Sequence, residues 1–179
     1  QYLAEHAYFR GLSPSELEHV ARMATLRSLA RGEILGLEGD DCRAIYLIMQ
    51  GRIQALKMSP QGREQIVSEM RPGASFYIVP ALDGGPLPAT TRAATRATLI
   101  SFTCQGWRDL LRCYPSVAMQ VLIDFARRLR HLTSLVEDLS LRSVPQRLAR
   151  MLLERVQSTG DHQTTQREMA AQLGTVREV

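Results

Sequence analysis

Apolar residues come in short runs between Gly32 and Thr103, then at intervals of four and three after Pro115. This change of period separates a β region from a helical one. The runs are Glu33-Ile34-Leu35, Ala44 to Met49, Arg52 to Met58, Glu64 to Met70, Phe76 to Leu82 and Ala97 to Phe102. Gly39, Gly51, Gly62, Pro72-Gly73, Gly84-Gly85-Pro86 and Pro88 punctuate them. Short strands at such spacing predict an all-β sandwich or barrel. Ser59-Pro60-Gln61-Gly62 suits a type I turn, with proline second and glycine fourth. Ahead of the strands, Pro14 to about Ala24 predicts a helix: Ser13 stands at the N-cap, Pro14 at the first helical position, and Glu16 three residues after the cap.

Behind the strands, Ala118, Leu122, Phe125, Leu129, Leu132, Val136 and Leu139 follow one another by 4, 3, 4, 3, 4 and 3 residues. Arg127, Arg128, Arg130, Glu137 and Asp138 occupy the other faces. A core helix lying on its own domain usually shows a broader stripe; a strict seam favours pairing with a second copy. Ser143 and Pro145 mark a break, and Leu148, Met151, Leu152 and Val156 begin another helix that Gly160-Asp161 ends. From Thr165 to Thr175 the chain reads as a helix and a tight turn, followed by the first turn of a second helix. Thr165 with Glu168, and Thr175 with Glu178, fit capping boxes, and Gly174 follows the last apolar residue, Leu173. The pattern fits either an ordinary helical hairpin or the start of a helix-turn-helix that ends just inside its recognition helix.

Composition narrows the classes. The 179 residues are 45% apolar, a globular proportion with room for more than one domain. No apolar run is long enough to span a bilayer, and residues 1–31 lack the continuous apolar centre of a signal peptide. A cytoplasmic protein with no membrane partner is expected. Cys42, Cys104 and Cys113 are odd in number and far apart, which predicts reduced thiols and no metal or disulfide framework. The net charge of +4 is uneven: residues 127–179 hold 9 arginines against 6 acidic residues, whereas residues 1–126 hold 13 basic against 12 acidic. A basic C-terminal third suits a polyanion partner. No Walker-type loop, H-E-x-x-H or G-x-S-x-G pattern is present, so an enzyme is not expected; Asp40-Asp41 reads as a solvated turn.

The order of these parts resembles the Crp/Fnr family of bacterial transcription regulators. Gly32-Glu33, Gly39, Tyr46-Leu47-Ile48, Gly51-Arg52-Ile53 and Ser59 to Glu64 look like the first half of the family's β-roll. Pro72-Gly73, Phe76 and Ala89-Thr90-Thr91-Arg92-Ala93 look like the second half. Ala126-Arg127-Arg128-Leu129 resembles its dimer helix, and Gly174 to Glu178 the start of its recognition helix. The resemblance implies an α+β chain: a jelly-roll-like antiparallel β-roll with an N-terminal helix (residues 1–114), a coiled-coil dimerisation helix (115–142) and a truncated winged helix-turn-helix (143–179). It also implies a homodimer, a palindromic DNA operator and RNA polymerase as partners. Arg177 is the expected base reader, with Glu178 accepting from cytosine or orienting it. Thr165, Gln166 and Thr175 are expected near phosphates or as caps alone.

One departure bears on the effector. Cyclic-nucleotide-binding members carry a Gly-Glu pair after the Phe of the roll, whose Glu holds the ribose. They also carry an Arg followed by Ser or Thr before the Ala-Thr strand, which hold the phosphate. Anchored on Phe76 and Ala89, the first pair falls near Ile78 and Val79 and the second on Leu87 and Pro88. Neither Leu87 nor Pro88 offers a charge-assisted donor. Leu132, where cyclic-AMP binders present a polar side chain to the base, is apolar as well. Cyclic AMP is therefore not expected. Arg92 and Arg96 read as surface arginines on the following strand. The expected effector pocket is apolar: Phe76, Ile78, Val79, Leu82, Leu87 and Leu132, open to an unknown small effector, a haem or nothing. A haem would need an axial ligand, for which His131 on the long helix is nearest, although a solvated or interfacial histidine is the simpler account of it. No cysteine precedes Cys42, which excludes an N-terminal iron–sulfur cluster within this chain. The expected function is a one-component transcription regulator that senses something other than a cyclic nucleotide. The alternatives are a ligand-binding regulatory module without DNA binding, and a non-sensing dimerisation protein.

Overall fold

The continuous apolar run at Ala44 to Met49 becomes strand β3 (Ala44–Gln50), and its lack of alternation is explained by burial on both faces. Tyr46 and Ile48 face the interior of the roll, while Ile45 and Leu47 lie on the opposite face, under helices α3 and α4. The structure, a computed structural model, describes residues 2–58 and 64–141, with Gln146 and Ala149. Two short N-terminal helices, α1 (Tyr2–Glu5) and α2 (Pro14–Met23), precede β1 (Thr25–Leu29) and β2 (Ile34–Gly36). After β3 come β4 (Ile53–Met58), β5 (Glu64–Met70), β6 (Ser75–Phe76), α3 (Ile78–Asp83), β7 (Thr90–Ala93), β8 (Ala97–Thr103), α4 (Cys104–Cys113) and α5 (Pro115–Leu141).

The strands form two four-stranded antiparallel sheets, ordered β1-β8-β3-β6 and β2-β7-β4-β5. This is the α+β, β-roll architecture that the family resemblance implies; the turn pattern alone predicts only its β part. The chain crosses between sheets at Gly51-Arg52. Gly51 has φ +85, and an added Cβ would sit 2.7 Å from Ala97 Cα, so the corner needs glycine. The capping box at Ser13 forms: its hydroxyl accepts from Glu16 N, and Glu16 Oε2 accepts from Ser13 N at 2.7 Å. Val20 is the buried anchor of α2.

Three elements differ from the sequence reading. The run Phe76 to Leu82 is not one strand; it breaks at Tyr77 into β6 and the helix α3. A short apolar run carries no period to tell the two apart. The polar-looking segment of β1 pairs along its whole length with β8, from Thr25↔Ser101 to Leu29↔Ala97, and buries only Leu29. An edge strand of that kind has little apolar signature. Helix α4 is also additional. Thr103 caps it by accepting from Gly106 N at 3.0 Å, and Trp107 and Leu110 bury one face. Phe102 meets Trp107 and Phe9 there at ring-centroid separations of 5.7 and 6.2 Å, a second core outside the roll.

The chain divides into two compact units, Gln1–Leu122 and Ile123–Val179, so α5 begins in the first. The expected turn at Ser59 to Gly62 lies outside the described residues. So do the helix residues Leu148, Met151, Leu152 and Val156, and the helix-turn-helix from Thr165 to Val179.

Candidate effector site

Tyr77 is the sole non-glycine residue with positive φ among the described residues, at φ +66 and ψ +15. A bulky side chain in that region costs roughly 1–3 kcal/mol and persists only where packing imposes it. Here the ring is pinned within the roll. Phe76 and Tyr77 meet edge to face at 5.0 Å, Tyr46 stacks on Phe76 at 5.2 Å, and Tyr46 meets Tyr77 at 5.9 Å. Tyr77 Oη shares a buried hydrogen bond with Thr91 Oγ1 of β7. Burial pushes its pKa up to about 12, against the smaller lowering by Thr91. Gly36 of β2 admits the phenol: an added Cβ would fall 3.0 Å from Tyr77 Oη and 2.6 Å from Leu87 Cδ1.

Above this floor lies a cavity of about 510 Å³, a size suited to a small ligand. Leu35, Gly36, Ala44, Tyr46, Tyr77 and Leu87 line it, and Arg27, Asp40, Asp41 and Arg43 form its polar side. The two guanidinium groups and two carboxylates balance in charge. Arg27 Nη1 donates to Tyr46 Oη at 3.3 Å, and Asp40 Oδ2 accepts from Leu37 N at 3.0 Å, closing the turn after β2. Leu87 N donates to Asp40 O and Gly39 N to Leu87 O, which lace this turn to the segment that carries Leu87-Pro88.

Of the residues expected to line an apolar pocket, Leu87 alone lines this cavity. Phe76 and Ile78 are buried in the packing around it. Val79 and Leu82 are 55% and 38% exposed, because α3 puts these two residues, three apart, on one outward face, whereas a strand would have pointed them to opposite faces. Leu132 is exposed and belongs to the second unit, as does His131. The cavity's polar side is a correction to the apolar expectation. Asp40-Asp41, read as a solvated turn, forms part of it, and Arg27 lies on the β1 strand that the sequence conceals. Tyr77 holds a left-handed backbone that glycine adopts at lower cost, and Ile78 beside it is buried. Arg92 turns away to pair with Glu64 at 3.0 Å. Among the described residues no metal-binding group of three His, Cys, Asp or Glu side chains forms, and no helix is long and apolar enough to cross a membrane.

The roll with its short helix between β6 and β7 defines a class of regulatory domain, and residues 26–114 match the family described as the cyclic nucleotide-binding domain. The chain is 28% identical to the CRP-like cAMP-activated global transcriptional regulator of Mycobacterium tuberculosis, over 99% of this chain and 84% of that one. It is 29% identical to the cyclic AMP receptor protein of Thermus thermophilus, over 95% and 80%. The crystal structure of the Thermus thermophilus catabolite activator protein superposes with a TM-score of 0.69, at 28% identity over 96% of this chain and 82% of that one. These matches support a Crp/Fnr-type regulator, and the relatives named here are transcription regulators.

Proposed function

We propose that the protein is a homodimeric, DNA-binding transcription regulator whose roll answers to a small polar effector other than a cyclic nucleotide. The observation that carries this reading is the closed floor of the cavity. Tyr77 and Leu87 fill the floor, the resemblance puts Leu87 and Pro88 at the family's phosphate positions, and Pro88 lacks even a backbone N–H. Losing charge-assisted hydrogen bonds of about 1.5–3 kcal/mol each removes the grip on a cyclic phosphate. The remaining polar side, Arg27 and Arg43 against Asp40 and Asp41, favours a molecule that offers both donors and acceptors. Titration calorimetry with cyclic AMP and cyclic GMP is expected to show no binding in the micromolar range; a dissociation constant at or below it overturns the reading.

The apolar seam of α5 supports dimerisation, and Arg177, with Glu178 beside it, is the proposed base reader. Thr165, Gln166 and Thr175 are proposed near phosphates, and RNA polymerase is the proposed onward partner. Binding-site selection on the protein at its natural length is expected to return two equal half-sites. Arg177→Ala should cost about 1–3 kcal/mol and relax preference at one base pair per half-site. Recovery of no palindrome removes the DNA-binding part. The same closed floor also favours a second reading, a non-sensing dimerisation protein. Alanine at Arg27 and Arg43 separates the two: a sensing roll loses its regulation while the dimer persists, whereas a scaffold is unchanged.

A further inference from the structure

Cys42 and Cys104 lie 62 positions apart in the chain, yet their sulfurs are 3.3 Å apart, with Cys104 Sγ donating to Cys42 Sγ. Cys104 Sγ also approaches Cys42 O at 3.1 Å, and Cys104 N donates to Arg43 O. Cys42 lies between Asp41 and Arg43, both on the polar side of the cavity, and its sulfur points toward the carbonyls of Ala44 and Tyr77 at 3.6 and 3.7 Å. Cys104 is the first residue of α4. Both side chains are half-buried, so solvent-borne oxidants can reach them, and Cys113 is exposed elsewhere on the same helix. Both thiols are free, as their spacing predicts, but Cys42 and Cys104, far apart in the chain, are neighbours in space.

We propose that Cys42 and Cys104 form a reversible thiol–disulfide couple beside the cavity, behind its lining residues Asp41 and Arg43, oxidised by a peroxide. A disulfide needs an S–S length of about 2.05 Å, so the sulfurs must close by about 1.3 Å, within reach of side-chain rotation. Burial and the neighbouring Cys104 sulfur raise the pKa of Cys42, which disfavours it as the first nucleophile, and in the proposed couple that step falls to Cys104. The Cys104 thiolate attacks one peroxide oxygen, the O–O bond breaks, and the departing hydroxide takes up a proton as water. Cys42 then attacks the Cys104 sulfenic acid. The S–S bond forms, the S–O bond breaks, and the Cys42 proton leaves with the hydroxyl as a second water. Two thiols and one peroxide give one disulfide and two waters. The bond ties the turn that bears Asp41 and Arg43 to the start of α4 and withdraws the Cys42 sulfur from the Tyr77 carbonyl.

The test uses the whole chain, treated with hydrogen peroxide and then alkylated without reductant. Peptide mass mapping should find Cys42 linked to Cys104 and Cys113 alkylated, with dithiothreitol restoring both thiols. Trp107, the single tryptophan of the chain, lies buried three residues beyond Cys104, so its fluorescence should change on oxidation and return on reduction. In Cys42→Ser, Cys104 should stop at the sulfenic acid and be captured by a dimedone probe. That variant needs only native circular dichroism to be informative. Separate alkylation of Cys42 and Cys104 after peroxide treatment overturns the proposal, as does a Cys104 product that is the same in Cys42→Ser as in the wild type.

Discussion

Helix α5 changes its relation to apolar surface along its length. In its first two turns Val117 and Val121 are 0% and 2% exposed and belong to the core of the first unit. From Leu122 onward several apolar side chains stand in solvent, Leu122 58% exposed, Leu129 65%, Leu132 54% and Val136 62%, while Ile123 and Phe125 are half-buried. One continuous helix thus carries two kinds of apolar residue, one buried within the chain and one exposed. The exposed stripe at heptad spacing is what the proposed dimer would cover. The roll, by contrast, is complete: its sheets, the aromatic floor and the Trp107 cluster are closed without any second molecule.

Trp107→Ala tests the closed side of this contrast most severely. The residue is fully buried, and its loss should lower unfolding free energy by about 3–5 kcal/mol in urea titrations. A loss below about 1 kcal/mol would show that the roll does not depend on this cluster. Leu129→Asp with Leu132→Asp tests the open side. Like charges facing across a seam should weaken the proposed dimer by at least about 100-fold, or ~2.7 kcal/mol, in sedimentation equilibrium, with the roll's melting unchanged. A dimer that survives the double change would place the contact elsewhere.

Tyr77→Phe sharpens the account of the floor. Removing the hydroxyl leaves Thr91 without its partner and should cost about 1 kcal/mol at neutral pH. The ionisation adds a pH signature. Because burial raises the pKa of Tyr77 from 10.0 to about 12, the folded state favours the neutral phenol; that contribution is complete below pH 10.0 and is lost as pH rises toward 12. Melting curves should therefore fall less steeply across that interval in Tyr77→Phe than in the wild type. Equal slopes would mean the phenol is not held as described. The smallest effect belongs to Ser13→Ala, which removes an exposed cap and should cost about 0.5–1 kcal/mol.

Patterned features of this kind are legible in the sequence. Ser13, Pro14 and Glu16 announce α2 through local chemistry alone, and the β3 run announces a buried strand. Spacing alone gives the seam of α5, and its exposed leucines agree with that spacing. The cavity is legible only in part. Leu87-Pro88 flags the departure from a phosphate site because the family motif is local. Tyr77 escapes such a reading because nothing in the run Phe-Tyr-Ile-Val reveals a left-handed residue, and without the helix that follows it nothing shows that Val79 and Leu82 share an exposed face. Arg27, Arg43 and the Cys42–Cys104 pair come together only through the pairing of β1, β3 and β8, a long-range fact that no short window contains.

The interlock of Gly36, Tyr77 and Leu87 also shapes how this lineage can change. An arginine returned to position 87 would still meet a phenol held over Thr91, so it would gain charge without gaining room. A glycine placed at position 77 would relieve the φ of +66 but empty the space the ring fills, at the cost of a void between two sheets. Gly36 cannot take even a methyl group while both neighbours stay. The effect of a change at any one of the three positions therefore depends on the other two, and replacements at positions 77 and 87 together are expected to differ from the sum of the single ones.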